Sequence, residues 1–136
     1  MTKMIFVNLP VTDLARSKAF YEALGFANNA QFSDDNSACM VVSDAINVML
    51  LTHDKWRGFT SRPIPPATSS EVMLAISCES REAVDQMNDA AARSGGQADI
   101  NPKQDLGFLY NRNLADPDGH VWEAVWMDPN AMSAGG

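Results

Sequence analysis

The sequence predicts an α+β fold of two βαβββ modules in tandem, their strands forming a curled mixed sheet around a cleft with the helices outside. Three observations carry this expectation. In each half, strand-like apolar runs surround one segment with helical spacing of its apolar residues. The two helical patterns recur at an offset of 70 residues, matching Leu14 with Val84, Ser17 with Met87, Tyr21 with Ala91 and Gly25 with Gly95. Near the end stands Asp116-Pro117-Asp118-Gly119, a turn with a mechanism. Its proline presets φ, its glycine permits positive φ, and its aspartates accept local N–H groups.

Taken in order, the first module spans about residues 4–52. Met4 to Leu9 reads as a strand ended by Pro10, whose missing N–H interrupts a ladder. Thr12 is the expected N-cap, and Asp13 favours the positive end of the helix dipole. Leu14, Ser17, Tyr21 and Leu24 form the helical stripe, which Gly25 closes as a C′ glycine. Strands follow near Gln31–Ser33, Ala38–Ser43 and Ile46–Thr52.

Residues 53–70 carry Pro63, Pro65 and Pro66 without periodicity and read as a connector, with a helical turn around Lys55 to Gly58. Its Trp56, Phe59, Arg57 and Arg62 fit either a lid or a dimer contact. The second module, about 71–127, opens with the strand Glu71–Cys78. Ser80 caps a helix striped by Val84, Met87 and Ala91 and ended by Gly95-Gly96. Strands are expected around Gln97–Ile100, Phe108–Leu114 and Val121–Trp126. Residues 128–136 form a tail.

Bulk properties narrow the function. A chain of 136 residues is read as a single domain able to bury about two thirds of its unfolded surface. A net charge of −7 and the absence of a basic stripe argue against nucleic acid and anionic membrane surfaces. No apolar run approaches the roughly 20 residues of a membrane span. No signal peptide is expected, and Cys39 and Cys78 read as buried thiols outside any CxxC pair, which points to the cytoplasm.

The stretch Val11-x-Asp13-Leu14-x-x-Ser17-x-x-Phe20-Tyr21-x-x-Leu24-Gly25-Phe26 and the ending Asp116-Pro117-Asp118-Gly119-x-x-x-Glu123, each in its own module, resemble the vicinal oxygen chelate superfamily. That superfamily holds glyoxalase I, bleomycin- and fosfomycin-resistance proteins and extradiol dioxygenases, and the match is nearest to its small bacterial glyoxalase-like subgroup. The resemblance implies a cup-shaped sheet, a cleft and frequently a homodimer. In metal-using members it implies one divalent ion held from the first and last strands of each module. Carried over position by position, those ligand sites fall on Phe6, Leu50, Met73 and Glu123. Phe, Leu and Met do not ligate Zn²⁺, Ni²⁺, Mg²⁺ or Fe²⁺ here, so only Glu123 matches.

The expectation is therefore a metal-free, cofactor-free homodimer binding a small organic molecule in an apolar cleft lined by Phe6, Asn8, Leu50, Met73 and Glu123. Asn8 shares a strand face with Phe6 and serves either a ligand or the strand end. Tyr110 and Arg112 alternate on one strand face; Arg112 either anchors a ligand or pairs with Glu123. His53 and His120 read as solvated, and Trp122 and Trp126 as core opposite Glu123. The alternative is a lyase or isomerase of the glyoxalase type, either with one divalent metal or with Glu123 as the catalytic general base.

Overall fold

The computed structural model describes residues 2–131. The chain divides between Ala67 and Thr68 into two compact units. The α+β class read from the sequence is observed, and each unit carries one mixed sheet.

In the first unit β1 (Ile5–Val11) lies parallel to β4 (Ile46–Thr52). The antiparallel β3 (Ser37–Val41) and β2 (Ala27–Asn29) complete the order β1-β4-β3-β2. Pro10 does not end β1. The strand stands at one end of the order and has a single partner in it, a place where a missing N–H is tolerated. Helix α1 (Leu14–Ala23) starts one residue later than expected, because the Asp13 carboxylate, not Thr12, accepts the Arg16 N–H at 3.1 Å. It ends in a Schellman motif. Gly25, at φ +101°, donates to Glu22 O at 3.0 Å, and Phe26 donates to Tyr21 O at 3.0 Å. The rings of Tyr21 and Phe26 stack at 5.6 Å across that motif. Beneath α1 lie Met40, Val48 and Leu50 with Phe20 and Tyr21, all fully buried.

The strand expected at Gln31–Ser33 is a 3₁₀ turn over Ala30–Phe32. Side chains outcompete the ladder there. Asn29 Oδ1 accepts from Gln31 N at 3.1 Å, and the Ser33 hydroxyl donates to Asn29 O at 2.7 Å. The connector opens with α2 (His53–Arg57), capped by the Thr52 hydroxyl, which accepts the Lys55 N–H at 3.2 Å.

The second unit repeats the plan. Strand β5 (Met73–Ser77) runs parallel to β9 (Val121–Met127). Antiparallel β8 (Leu109–Ala115) follows, with β6 (Gln97–Ala98) and the unanticipated β7 (Gln104–Asp105) along its far edge. Helix α3 (Arg81–Arg93) is capped by Ser80 as expected and closed by Gly95 at φ +94°. It covers a core of Val84, Tyr110 and Ala124, against which Trp126 packs; Trp122 is buried as well. In the closing turn the Asp116 carboxylate accepts the N–H groups of Asp118 at 2.9 Å and His120 at 2.8 Å. No described helix is long and apolar enough to cross a membrane.

Candidate functional site

Strand alternation sorts the first unit's side chains into two sets. Phe6 pairs with Asn47 and Asn8 with Met49 across β1 and β4, and Cys39 pairs with Met49 across β3. These five share one face. The face opens on a cavity of about 700 Å³ whose walls include Met4, Phe6, Phe32 and Met49. Phe6 and Phe32 are 52% and 62% exposed, so the cavity mouth is lined with apolar surface that the unit itself leaves uncovered.

At the base stand Asn47, 5% exposed, and Cys39. The Cys39 thiol lies 4.0 Å from Asn47 Oδ1, as donor to acceptor, and the Asn47 Nδ2 has no hydrogen-bond partner. Burial pushes the thiol's pKa up, so Cys39 is a neutral S–H donor and not a nucleophile. A covered amide without a partner costs about 1–3 kcal/mol of desolvation. Asp34 is the one charged side chain among the described lining residues. Its Oδ1 accepts from Asn36 N at 2.8 Å, Ser37 N at 2.9 Å and Ser37 Oγ at 3.1 Å. Those bonds, the Asn36 N–H first, hold its carboxyl below the usual carboxylate range.

A second, smaller cavity of about 200 Å³ lies between the strands and α2, lined by Asn8, Leu51, Trp56, Phe59 and Thr60. The Trp56 indole N–H there is buried and without a partner. Asn8 is a wall of both cavities.

In the second unit Met73 is 63% exposed on β5. Glu123 is half-buried between Ala75 on β5 and Asn113 on β8, its register partners. Tyr110 and Arg112 point the other way, toward α3. The Arg112 guanidinium meets Asp99 at 2.9 and 2.8 Å, Asp85 at 2.9 Å and Asp89 at 3.6 Å. The Tyr110 hydroxyl donates to Asp85 at 2.6 Å. Asp85 is held below its ordinary pKa by the Tyr110 hydroxyl first and Arg112 next, and Asp99 by Arg112. Arg112 is thus fully engaged by three carboxylates.

Of the expected residues, Phe6 and Asn8 come together in the first unit, and Met73 and Glu123 share a face in the second. Leu50, expected in the cleft, is fully buried beneath α1 instead. Met49 holds the open face, since a slip of one residue exchanges the faces of a strand. Arg112 neither pairs with Glu123 nor is free for a ligand. The parity that separates positions 112 and 123 is fixed by β8–β9 pairing, in which Arg112 opposes Ala124. Asn47 was missed. Its signal was an amide inside the apolar run Ile46-Asn47-Val48-Met49-Leu50-Leu51.

A divalent metal does not fit this donor set. Among the described residues no group of three or more His, Cys, Asp or Glu side chains is placed to hold one. The cavity base offers an amide and a neutral thiol, neither of which holds a hard cation by itself.

Residues 3–43 match the family described as bleomycin resistance protein-like N-terminal. No curated protein matches the chain. Among solved structures, the hypothetical protein SA1046 from S. aureus is 25% identical, with TM-score 0.78 over 93% of this chain and 95% of that one. A glyoxalase/bleomycin resistance protein/dioxygenase family enzyme from Burkholderia phytofirmans PsJN is 17% identical, with TM-score 0.76 over 93% and 99%. The fosfomycin resistance protein FosX from Mesorhizobium loti is 14% identical, with TM-score 0.69 over 98% of each chain.

Proposed function

We propose that this chain, which has the vicinal oxygen chelate fold and a bleomycin-resistance-protein-like N-terminal stretch, binds a small organic molecule in the cavity of its first unit without a metal. The observation that carries the reading is the unpartnered Nδ2 of Asn47 at the base of an apolar-walled cavity. A ligand oxygen or ring nitrogen would satisfy that donor. Phe6, Phe32 and Met49 would cover the ligand's apolar part, at about 25 cal/mol per Å² removed from water. Nδ2 itself is covered, so the walls must yield as the ligand enters. Met49, with three rotatable bonds, is the lining side chain best suited to do so.

Charge narrows the ligand class. The ionised Asp34 favours neutral or cationic molecules over anions. Bleomycin, which gives the matching family its name, is cationic and belongs in the first screen. Half-exposed apolar side chains in each unit, Ile5 and Phe6 in the first and Val72, Met73 and Phe108 in the second, support a proposed homodimer. Light scattering checks it: a mass of twice the chain's is expected, and a monomer at all concentrations contradicts it.

A thermal-shift screen of neutral and cationic organic compounds tests the binding reading. A ligand at 100 times its Kd adds about 2.7 kcal/mol, a rise of several degrees in Tm. The rise should persist in EDTA and be weakened in Asn47→Leu. Stabilisation by Zn²⁺ or Ni²⁺ alone would overturn the proposal. So would turnover of the methylglyoxal–glutathione hemithioacetal that EDTA abolishes.

A further inference from the structure

The smaller cavity beside α2 holds a second buried donor without a partner, and the reading above does not use it. Trp56 lines it, and its indole N–H, a group that only donates and that normally finds an acceptor when buried, is covered and without a partner. Asn8 forms a wall of both cavities, so the two adjoin along a single face of the sheet. The register gives the spacing. Asn47 and Leu51 lie four residues apart on β4, pointing to the same side, and four strand residues span about 13 Å. Asn47 stands at one end of that span. Leu51, which lines the smaller cavity together with Trp56 and Phe59, stands at the other.

We infer that the two cavities are subsites of one elongated site, which takes a rod-shaped, neutral or cationic molecule with a hydrogen-bond acceptor at each end and an apolar middle. One acceptor meets Asn47 Nδ2, and the other meets the Trp56 indole N–H. The acceptors are separated by roughly 10–13 Å, the length of the strand segment between them. Phe6 and Met49 cover the middle of the molecule, and the rings of Trp56 and Phe59 flank its far end. Anionic ends are disfavoured, because Asp34 is the sole charge among the described residues lining either cavity. This inference rests on the binding reading proposed above.

Three probes of one shape separate the possibilities: biphenyl, 4-acetylbiphenyl and 4,4′-diacetylbiphenyl, with none, one and two carbonyl acceptors. Each is titrated into the full chain by isothermal calorimetry. The wild-type protein should bind the diacetyl compound about tenfold more tightly than the monoacetyl one, the gain of satisfying one more buried donor. Trp56→Phe keeps an aromatic ring and removes the N–H. It should bring the ratio of the two affinities to about one. Equal affinities for the two ketones in the wild type would overturn the elongated site while leaving the single-cavity reading in place. A ratio unchanged in Trp56→Phe would overturn the role of the indole. Binding of none of the three would overturn the elongated site, while the thermal-shift screen decides the single-cavity reading. The wild-type ratio alone decides the matter if the variant folds poorly.

Discussion

At the scale of single residues, two buried polar groups behave in opposite ways. Arg112 is saturated: its side chain is 12% exposed and meets three carboxylates. Removing one partner of a fully buried ion pair costs about 3–5 kcal/mol, but these aspartates are near half exposed and regain water. Arg112→Met should therefore destabilise by about 2 kcal/mol in urea unfolding near neutral pH, and ligand binding in the first unit should not change. Asn47 is unsaturated. Asn47→Leu deletes a donor that has no partner and gives up only the 4.0 Å thiol contact to Oδ1, so it should stabilise the ligand-free protein by about 1 kcal/mol while weakening ligand binding. Destabilisation of similar size would mean that the amide is already satisfied.

The same carboxylates set a pH dependence. Asp85, Asp99 and Asp105 all have folded pKa values below the ordinary aspartate value of 3.8, and Arg81 with the Gly107 N–H holds Asp105 at about 2. A depressed folded pKa means that the unfolded chain binds the proton first. The contribution is complete above the unfolded value and is lost as pH falls through the folded ones. Melting temperature should thus drop between about pH 4 and pH 2. Arg112→Met should flatten the part owed to Asp99 and reduce that of Asp85, which the Tyr110 hydroxyl still holds down, leaving the Asp105 part in place.

At the scale of elements, legibility followed how local the determining interactions are. The helices were readable because caps and stripes are local. Ser80 caps α3 as expected, and Gly25 and Gly95 both close their helices at positive φ. Gly25→Ala meets no atom within 4 Å, so its cost is purely conformational, about 1 kcal/mol by thermal or urea unfolding. The segment at Gln31–Ser33 was misread because its conformation is set by Asn29 and Ser33 bonding to the backbone, which hydrophobic patterning does not register. Strand parity was the other failure. In an apolar run such as Val48-Met49-Leu50-Leu51, both faces look alike, and only pairing with β1 and β3 tells Leu50 from Met49. The site was therefore half legible. Phe6 was named from the family resemblance and Asn8 from alternation beside it, and both line the cavity, whereas Asn47 lay unnoticed between hydrophobes.

At the scale of the whole molecule, the two units share one plan and differ in what their open faces carry. The first offers a cavity with an unpartnered amide; the second offers Glu123 between Ala75 and Asn113. Among the described residues neither supplies a group of donors for a divalent ion, so elemental analysis after purification without chelators should find less than a stoichiometric amount of metal. The proposed function rests on the first unit and on one side chain in it. The most direct test follows the side-chain amide of Asn47 by ¹H–¹⁵N NMR as 4-acetylbiphenyl is added, with EDTA present. The account expects the Asn47 pair to shift and saturate with the ligand, while the Asn101 pair, bonded to Asn113 at 2.8 Å, stays in place. An Asn47 pair that does not move while the ligand binds elsewhere, or that moves only when Zn²⁺ replaces EDTA, would contradict it.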